Sequence, residues 1–128
     1  MRHVIRLAPV VTAFAMITSL SPVYAQSLKA NDVRLKDTFI VVGGIRAGVA
    51  AAVHDAALIA QIRRVAGRAR RVCSVCTGTF LLAAAGQLGG RRATTHWAAC
   101  EELARRFPDV EVAPEPIYTR DGHVYTSA

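Results

Sequence analysis

The sequence predicts an α/β sandwich built on a mainly parallel β-sheet. The first observation is that strand-like and helix-like segments alternate along the chain, the order that parallel strands joined by crossover helices require. The second is a length of 128 residues with 52% hydrophobic residues, which suits one compact domain and argues against a disordered chain. We therefore expect a single core between helices and one sheet.

The first predicted strand is the apolar, β-branched run TFIVV, which ends at Gly43 and Gly44. Two glycines directly after a buried strand indicate a tight loop. AGVAAAV then predicts a short helix, and Asp55 is placed to cap a second helix, AALIAQIRRVAGRAR. The apolar residues at helical spacing in this second helix are Leu58, Ile62 and Val65.

The rest of the domain continues the alternation. RVCSV predicts the next strand, TGTFLLAAAG a helix that ends at Gly86, and RRATTHW a third strand of the same sheet. AACEELARRF predicts an amphipathic helix that stops at Pro108. The final segment, DVEVAPEPIYTRDGHVYTSA, predicts a strand, a loop and a hairpin that turns at Asp121 and Gly122.

The first 25 residues fit the pattern of a secretory signal peptide. MRHVIR is positively charged, LAPVVTAFAMITSL is a largely apolar stretch of 14 residues, and SPVYAQS offers cleavage after Ala25, which predicts Sec export to the periplasm. Because an ordinary span needs about 20 apolar residues, we expect no permanent membrane span. The alternative is that residues 1–25 form divergent first strands of a cytoplasmic domain. In either case the chain divides into residues 1–25 and a domain at 26–128.

The net charge of +7 comes with a cluster of arginines between residues 63 and 92. Such a cluster could attract phosphate. However, no aromatic residues interleave with these arginines and no helix-turn-helix or zinc-finger pattern follows them. We therefore expect no direct nucleic-acid binding by this chain, and a solvated arginine-rich helix face.

Three cysteines leave three kinds of site open. A redox pair of Cys73 and Cys76 would need both sulfurs at a helix N-terminus, but Cys73 lies inside a predicted strand, where a small core residue is expected. A zinc site would combine these two with His96 and Cys100, which requires Cys73 to leave the strand and Cys100 to turn back from its helix. A small zinc-stabilised fold remains an alternative, although we expect no metal.

A single nucleophile at Cys76 needs the least rearrangement. The residue follows a strand and precedes a helix, which is the geometry of a nucleophile elbow. Thr77 and Gly78 are small enough for the close approach at such a turn, and the helix amides favour a thiolate. A buried structural cysteine is the alternative.

Two further segments are expected at the same edge of the sheet. His96 ends the third predicted strand, where it can serve Cys76 as a base or hydrogen-bond partner; the alternative is a histidine that caps the following helix. Gly43 and Gly44 can present backbone N–H groups to a developing oxyanion; the alternative is an ordinary strand-to-helix turn.

The paired motifs SVCTG and ATTHW resemble the ThiJ/PfpI family, which shares its fold with class I glutamine amidotransferases. More narrowly, the segment from DTFIVVGG onward resembles the sensor domain joined to AraC-type DNA-binding domains in GlxA-like transcriptional regulators. The resemblance implies a flavodoxin-like three-layer sandwich, usually dimeric and cytoplasmic, with an unknown small molecule as ligand and no cofactor. It implies an elbow cysteine at Cys76, a neighbouring histidine at His96 and an oxyanion-side loop at Gly43 and Gly44.

Isonitrile hydratases carry a similar elbow and TTHW segment, with a threonine after the nucleophile, which corresponds to Thr77. Two departures from the family pattern favour a role without catalysis. The acidic residue that contacts the elbow thiol in the family has no counterpart, since no Asp or Glu precedes Asp32. The sequence ends at VYTSA, where the family continues into another helix. We expect a partial domain, truncated at both ends, that acts as a non-catalytic sensor without its own DNA-binding domain; a cysteine-dependent hydratase is the alternative.

Overall fold

The computed structural model describes residues 38–128. The predicted leader or first strands at residues 1–25 lie outside this part of the chain. The strands are β1 (Thr38–Val42), β2 (Arg71–Val75), β3 (Arg92–Ala93), β4 (Glu111–Val112), β5 (Tyr118–Asp121) and β6 (Val124–Ser127). The helices are α1 (Arg46–Val53), α2 (Ala56–Ala66), α3 (Gly78–Ala84) and α4 (Cys100–Arg106), with a 3₁₀ turn at Trp97–Ala99.

The main sheet has four strands in the order β1-β2-β6-β5. β1, β2 and β6 are parallel, and β5 pairs antiparallel with β6 through the predicted hairpin. The carboxyl ends of the three parallel strands, at Val42, Val75 and Ser127, therefore lie at one edge of the sheet. The predicted α/β fold with a mainly parallel sheet is confirmed.

The prediction that RRATTHW adds a third strand to this sheet was wrong. β3 has only two residues and pairs with β4 in a separate two-stranded parallel sheet. The amide of Arg92 donates to the Asp121 carboxylate at 3.0 Å, and the amide of Thr94 donates to Thr126 Oγ1 at 2.7 Å. Because side chains occupy these amides, the segment lies against the main sheet without joining its ladder.

One face of the main sheet is buried in the core. Val41, Val72 and Val124 point into it and are at most 7% exposed. Side chains alternate between the two faces of a strand, so Cys73 lies on the opposite face from its neighbours Val72 and Ser74. The expectation that Cys73 fills the core was therefore wrong, since its side chain is only half-buried.

The helices have the predicted order, with small shifts. Asp55 caps α2, since its Oδ1 accepts hydrogen bonds from the amides of Ala57 and Leu58 at 3.0 Å. The helix buries Ile59, Ile62 and Ala66, whereas the predicted Leu58 and Val65 are half-buried at the margin of that stripe. Gly86 follows α3 in the left-handed conformation that ends helices, as predicted.

Within residues 38–128, no helix is both long enough and apolar enough to cross a bilayer.

Candidate functional site

The turn between β2 and α3 holds Cys76 in a left-handed backbone conformation. Its φ is 57°, and no other non-glycine residue among 38–128 has a positive φ. Such a conformation costs about 1–3 kcal/mol and persists only where the surroundings impose it. The Cys76 amide donates to the Ser127 carbonyl at 2.9 Å, which ties the turn to the end of β6. Cys76 therefore has the backbone geometry of a nucleophile elbow.

Two buried threonines hold the carbonyl of this turn. Thr95 Oγ1 donates to the Cys76 oxygen at 2.9 Å, and Thr79 Oγ1 lies 3.2 Å from the same oxygen. Thr79 Oγ1 also lies 3.0 Å from the Thr94 carbonyl and shares a 2.8 Å hydrogen bond with Ser74. A network of hydroxyl groups thus links β2, α3 and the segment after β3 directly beneath the elbow.

The glycine loop after β1 packs directly against the elbow. A Cβ on Gly43 would lie 2.6 Å from the Thr77 nitrogen and 2.7 Å from the Gly78 nitrogen, closer than real Cβ atoms come to backbone. A Cβ on Gly78 would meet the Val41 carbonyl oxygen just as closely, whereas Gly44 has open space. Close backbone approach therefore requires glycine at 43 and 78.

The amides of this loop are engaged within the protein. The Gly43 amide donates to the Val75 carbonyl at 3.0 Å, and the Gly44 amide donates to Thr77 Oγ1 at 3.2 Å. Thr77 Oγ1 also lies 3.2 Å from the Gly44 carbonyl and donates to it. The loop thus braces Thr77, and an oxyanion there would have to replace these internal acceptors.

The side chain of His96 caps the turn that follows it. His96 Nδ1 accepts a hydrogen bond from the Ala98 amide at 3.2 Å, and the imidazole stacks on Trp97 with 5.3 Å between ring centroids. Within residues 38–128, no hydrogen bond joins this imidazole to the Cys76 thiol. Thr95, its neighbour in sequence, makes the connection to Cys76 instead. The structure therefore joins the segments of Cys76 and His96 through the Thr95 hydroxyl and the Cys76 carbonyl, with His96 in the capping role.

The other two cysteines have different surroundings. Burial raises the pKa of the Cys73 thiol, and the positive charge of Arg71 partly offsets this effect. Cys100 is buried, with its Sγ 3.7 Å from the His96 carbonyl and 3.9 Å from that of Thr95. No three His, Cys, Asp or Glu side chains in the described part of the chain could hold a metal ion. The zinc interpretation thus has no ligand set between residues 38 and 128.

A shallow groove adjoins the elbow between α1 and α4. Thr77 and Phe80 form part of its wall, and Glu102 binds two arginines beside it. Glu102 lies 3.1 Å from Arg46 and 3.5 Å from Arg106, and the Arg106 guanidinium lies 5.8 Å from the centre of the Phe80 ring. The groove therefore combines the apolar Phe80 ring with three charged side chains near Thr77, of which Arg46 is 79% exposed.

Sequence reasoning missed the hydroxyl network and this charged groove. The only local signal for the network was the presence of the hydroxyl residues Ser74, Thr79 and Thr95 in otherwise largely apolar segments. The groove had no local signal, because Arg46 and Glu102 are 56 residues apart in the chain.

A mainly parallel α/β domain with a cysteine on a left-handed strand-to-helix turn belongs to the class of nucleophile-elbow folds. Residues 9–128 match the DJ-1/PfpI family, and the chain belongs to this family. The matched range begins inside the apolar segment that sequence patterns predict as part of a leader.

Relatives include both an enzyme and a regulator. An isonitrile hydratase of Pseudomonas putida is 42% identical over 97 residues, which are 75% of this chain and 40% of the enzyme. An HTH-type transcriptional regulator of Mycobacterium tuberculosis is 57% identical over 53 residues, which are 41% of this chain and 20% of the regulator. The crystal structure of a ThiJ/PfpI family protein from Pseudomonas syringae has a TM-score of 0.65 and 32% identity, covering 77% of this chain and 39% of that one. The chain thus spans less than half the length of these relatives.

The packing of the glycine loop predicts unequal effects of two alanine substitutions. Gly43→Ala should destabilise the protein by about 1–3 kcal/mol, because the new Cβ meets backbone that cannot move cheaply. Gly44→Ala is the matched control and should stay within about 0.5 kcal/mol of the wild type. Urea unfolding measures both free energies. Equal effects at the two positions would contradict the close approach of the loop to the elbow.

The hydroxyl network predicts a difference between adjacent threonines. Thr95→Val should cost about 1 kcal/mol, because it removes a hydrogen bond to the Cys76 carbonyl. Thr94→Val should cost less or stabilise the protein, because Thr94 Oγ1 is buried with no partner among the described residues. Chemical denaturation of both variants tests this order; a larger loss for Thr94→Val would mean that the Cys76 carbonyl depends little on Thr95.

The three thiols should differ in reactivity at neutral pH. We expect iodoacetamide to label Cys76 first, because burial shields Cys100 and the raised pKa of Cys73 keeps that group protonated. Labelling of Cys73 should increase as the pH rises above the usual range of a thiol, since only then does its thiolate form. Peptide mapping of alkylated protein measures the order. Initial labelling of Cys73 or Cys100 would contradict the assignment of Cys76 as the reactive elbow.

Proposed function

We propose that this chain contains the core of a ligand-sensing regulatory domain that binds a small molecule beside Cys76. The observation that carries the proposal is the role of His96, whose Nδ1 accepts the Ala98 amide while its ring stacks on Trp97. A base must reach the proton that it removes. An imidazole whose Nδ1 caps a turn, and which forms no hydrogen bond to Cys76 within residues 38–128, supports binding better than it supports proton transfer at Cys76.

The groove beside Thr77 supplies what a sensor needs. Recognition requires a concave surface with a few polar groups, and Glu102, Arg46 and Arg106 supply charged groups beside the groove. Similarity to HTH-type transcriptional regulators of Mycobacterium tuberculosis and Pseudomonas aeruginosa supports a regulatory role. A homodimer fits the same proposal.

Isonitrile hydration is the second candidate. It is favoured by 42% identity to the Pseudomonas putida enzyme across a range that covers three quarters of this chain. The reaction adds water to an isonitrile, R–N≡C, to give the N-substituted formamide R–NH–CHO. In this role Cys76 would be the nucleophile, and the Thr77 amide at the elbow would be the candidate oxyanion donor.

Incubation of the full chain with a simple alkyl isonitrile separates the two functions. A sensor should form no formamide above the uncatalysed rate, by NMR of the formyl proton, and the Cys76→Ala variant should behave identically. Formamide production that Cys76→Ala abolishes and Cys73→Ser retains would overturn the proposal in favour of the hydratase.

A second measurement addresses binding directly. A panel of small anionic, zwitterionic and neutral compounds should include one that raises the melting temperature without being consumed. The increase should persist in Cys76→Ala and disappear in Glu102→Gln, which keeps the shape of the groove and removes its central charge. An increase that depends on Cys76 and not on Glu102 would contradict the groove as the ligand site.

A further inference from the structure

The amino ends of the parallel strands, at the edge of the sheet opposite Cys76, bring together charged residues that are far apart in the chain. β2 begins at Arg71, whose Nε donates to Thr38 Oγ1 at the start of β1 at 3.0 Å. Arg91 Nη1 lies 3.2 Å from Asp121 Oδ1, beside the hairpin turn that precedes β6. The segment before β3 and the hairpin therefore add their charges to the start of β2.

The last turn of α2 and the hairpin contribute further arginines to this edge. α2 leads directly into β2, and Arg63 Nε donates to the Ala85 carbonyl, just after α3, at 3.1 Å. In the hairpin, Arg120 Nε donates to the Gly122 carbonyl at 3.3 Å. We call the following arginines the basic edge: the five within residues 63–71, together with Arg91, Arg92 and Arg120.

Positive charge exceeds negative charge at the basic edge. The carboxylates there are those of Asp109, Glu111 and Asp121, since the Gly90 amide donates to the Asp109 carbonyl at 2.8 Å and Glu111 pairs with Arg92 in the two-stranded sheet. Eight arginines against three carboxylates leave an excess of five positive charges. The other charged residues of 38–128 are three arginines and four carboxylates, which nearly cancel.

The rest of the chain cannot remove this excess. Residues 1–37 contain two acidic residues, Asp32 and Asp37, along with five lysines and arginines. The groups that accept hydrogen bonds from Arg63, Arg64 and Arg71 are a carbonyl, an amide oxygen and a hydroxyl, all of them neutral. Because like charges gathered at one edge repel one another, an anionic partner bound there would stabilise the protein.

We propose that the basic edge docks an acidic segment of a partner protein. The strongly basic side chains of residues 38–128 are all arginines, and the planar fork of a guanidinium binds a carboxylate through two parallel hydrogen bonds. Arg64, Arg92 and Arg120 are exposed, so a partner can reach them. Clusters of arginine recognise acidic peptide motifs in this way. The surface lies opposite the groove beside Cys76 and does not depend on a ligand there.

A protein segment suits this edge better than a nucleic acid does. Bases of single strands stack on aromatic side chains, but the exposed large aromatic residues of 38–128 lie at the other edge. Trp97 follows the segment that binds the Cys76 carbonyl, and Tyr118 pairs with Ser127 at the end of β6. The three carboxylates of the basic edge would repel a continuous phosphate backbone. A flexible peptide can direct its own carboxylates to the arginines between them.

Fluorescence anisotropy of a short labelled peptide of alternating glutamate and serine tests the proposal on the full chain, in about 50 mM NaCl. We expect saturable binding that weakens as salt is added, because the contacts are between exposed charges. Arg64→Gln and Arg92→Gln should each raise the Kd about threefold, and the double variant about tenfold. The matched control Arg105→Gln removes the same charge from an exposed position on α4, outside the basic edge, and should leave the Kd unchanged.

Three results would overturn the proposal. Absence of saturable binding at low salt would mean that the basic edge does not dock acidic peptides. An equal loss of affinity in Arg105→Gln would mean that the net charge of the chain attracts the peptide without a defined surface. Tighter binding of a mixed-sequence DNA duplex, weakened by Arg64→Gln and Arg92→Gln, would assign the edge to a nucleic acid.

An NMR titration locates the contact without any substitution. In the isotope-labelled full chain, the same peptide should shift the amide signals of Gly67, Gly90 and Gly122, which lie at the basic edge. The amide signal of Gly44, beside the elbow, should stay in place. Larger shifts at Gly44 than at the other three glycines would contradict the proposal.

Discussion

The left-handed backbone of Cys76 is the constraint on which the surrounding structure depends. This conformation is unfavourable for a residue with a Cβ, so it must be imposed by its neighbours. The Ser127 carbonyl, Thr79 and Thr95 hold its amide and carbonyl, and each comes from a different part of the chain. The loop after β1 packs so closely against this turn that residue 43 must be glycine.

This constraint explains why so much of the polar core is made of hydroxyl groups. The segment after β3 leaves the sheet ladder, so its backbone needs other partners, and Thr126 accepts from the Thr94 amide. Threonine and serine provide short, neutral hydrogen-bonding groups that can be buried without a charge. Ser74 and Thr79 likewise share a hydrogen bond between their hydroxyl groups beneath the elbow. Cys76 thus sits on a platform of buried, uncharged hydroxyl groups.

The platform is compatible with either catalysis or recognition, and both an enzyme and a regulator are among the relatives of this chain. His96 Nδ1 accepts a hydrogen bond within its own turn, and Glu102 forms ion pairs with Arg46 and Arg106 beside the groove. Among residues 38–128 of this DJ-1/PfpI domain, neither His96 nor Glu102 forms a hydrogen bond with the Cys76 thiol.

The sequence by itself determined the alternation of strands and helices, the cap at Asp55, the hairpin at Gly122 and the elbow at Cys76. These features depend on local patterns: apolar runs, a capping side chain and residues that tolerate a tight turn. Only the tertiary structure decided the fate of RRATTHW and the direction of Cys73. The side chains of Asp121 and Thr126 accept hydrogen bonds from backbone amides of RRATTHW. The register of β2 directs the Cys73 side chain away from the core. The first outcome depends on hydrogen-bond partners more than 25 residues away in the chain. The second depends on the register of a strand, where a one-residue shift moves every side chain to the other face.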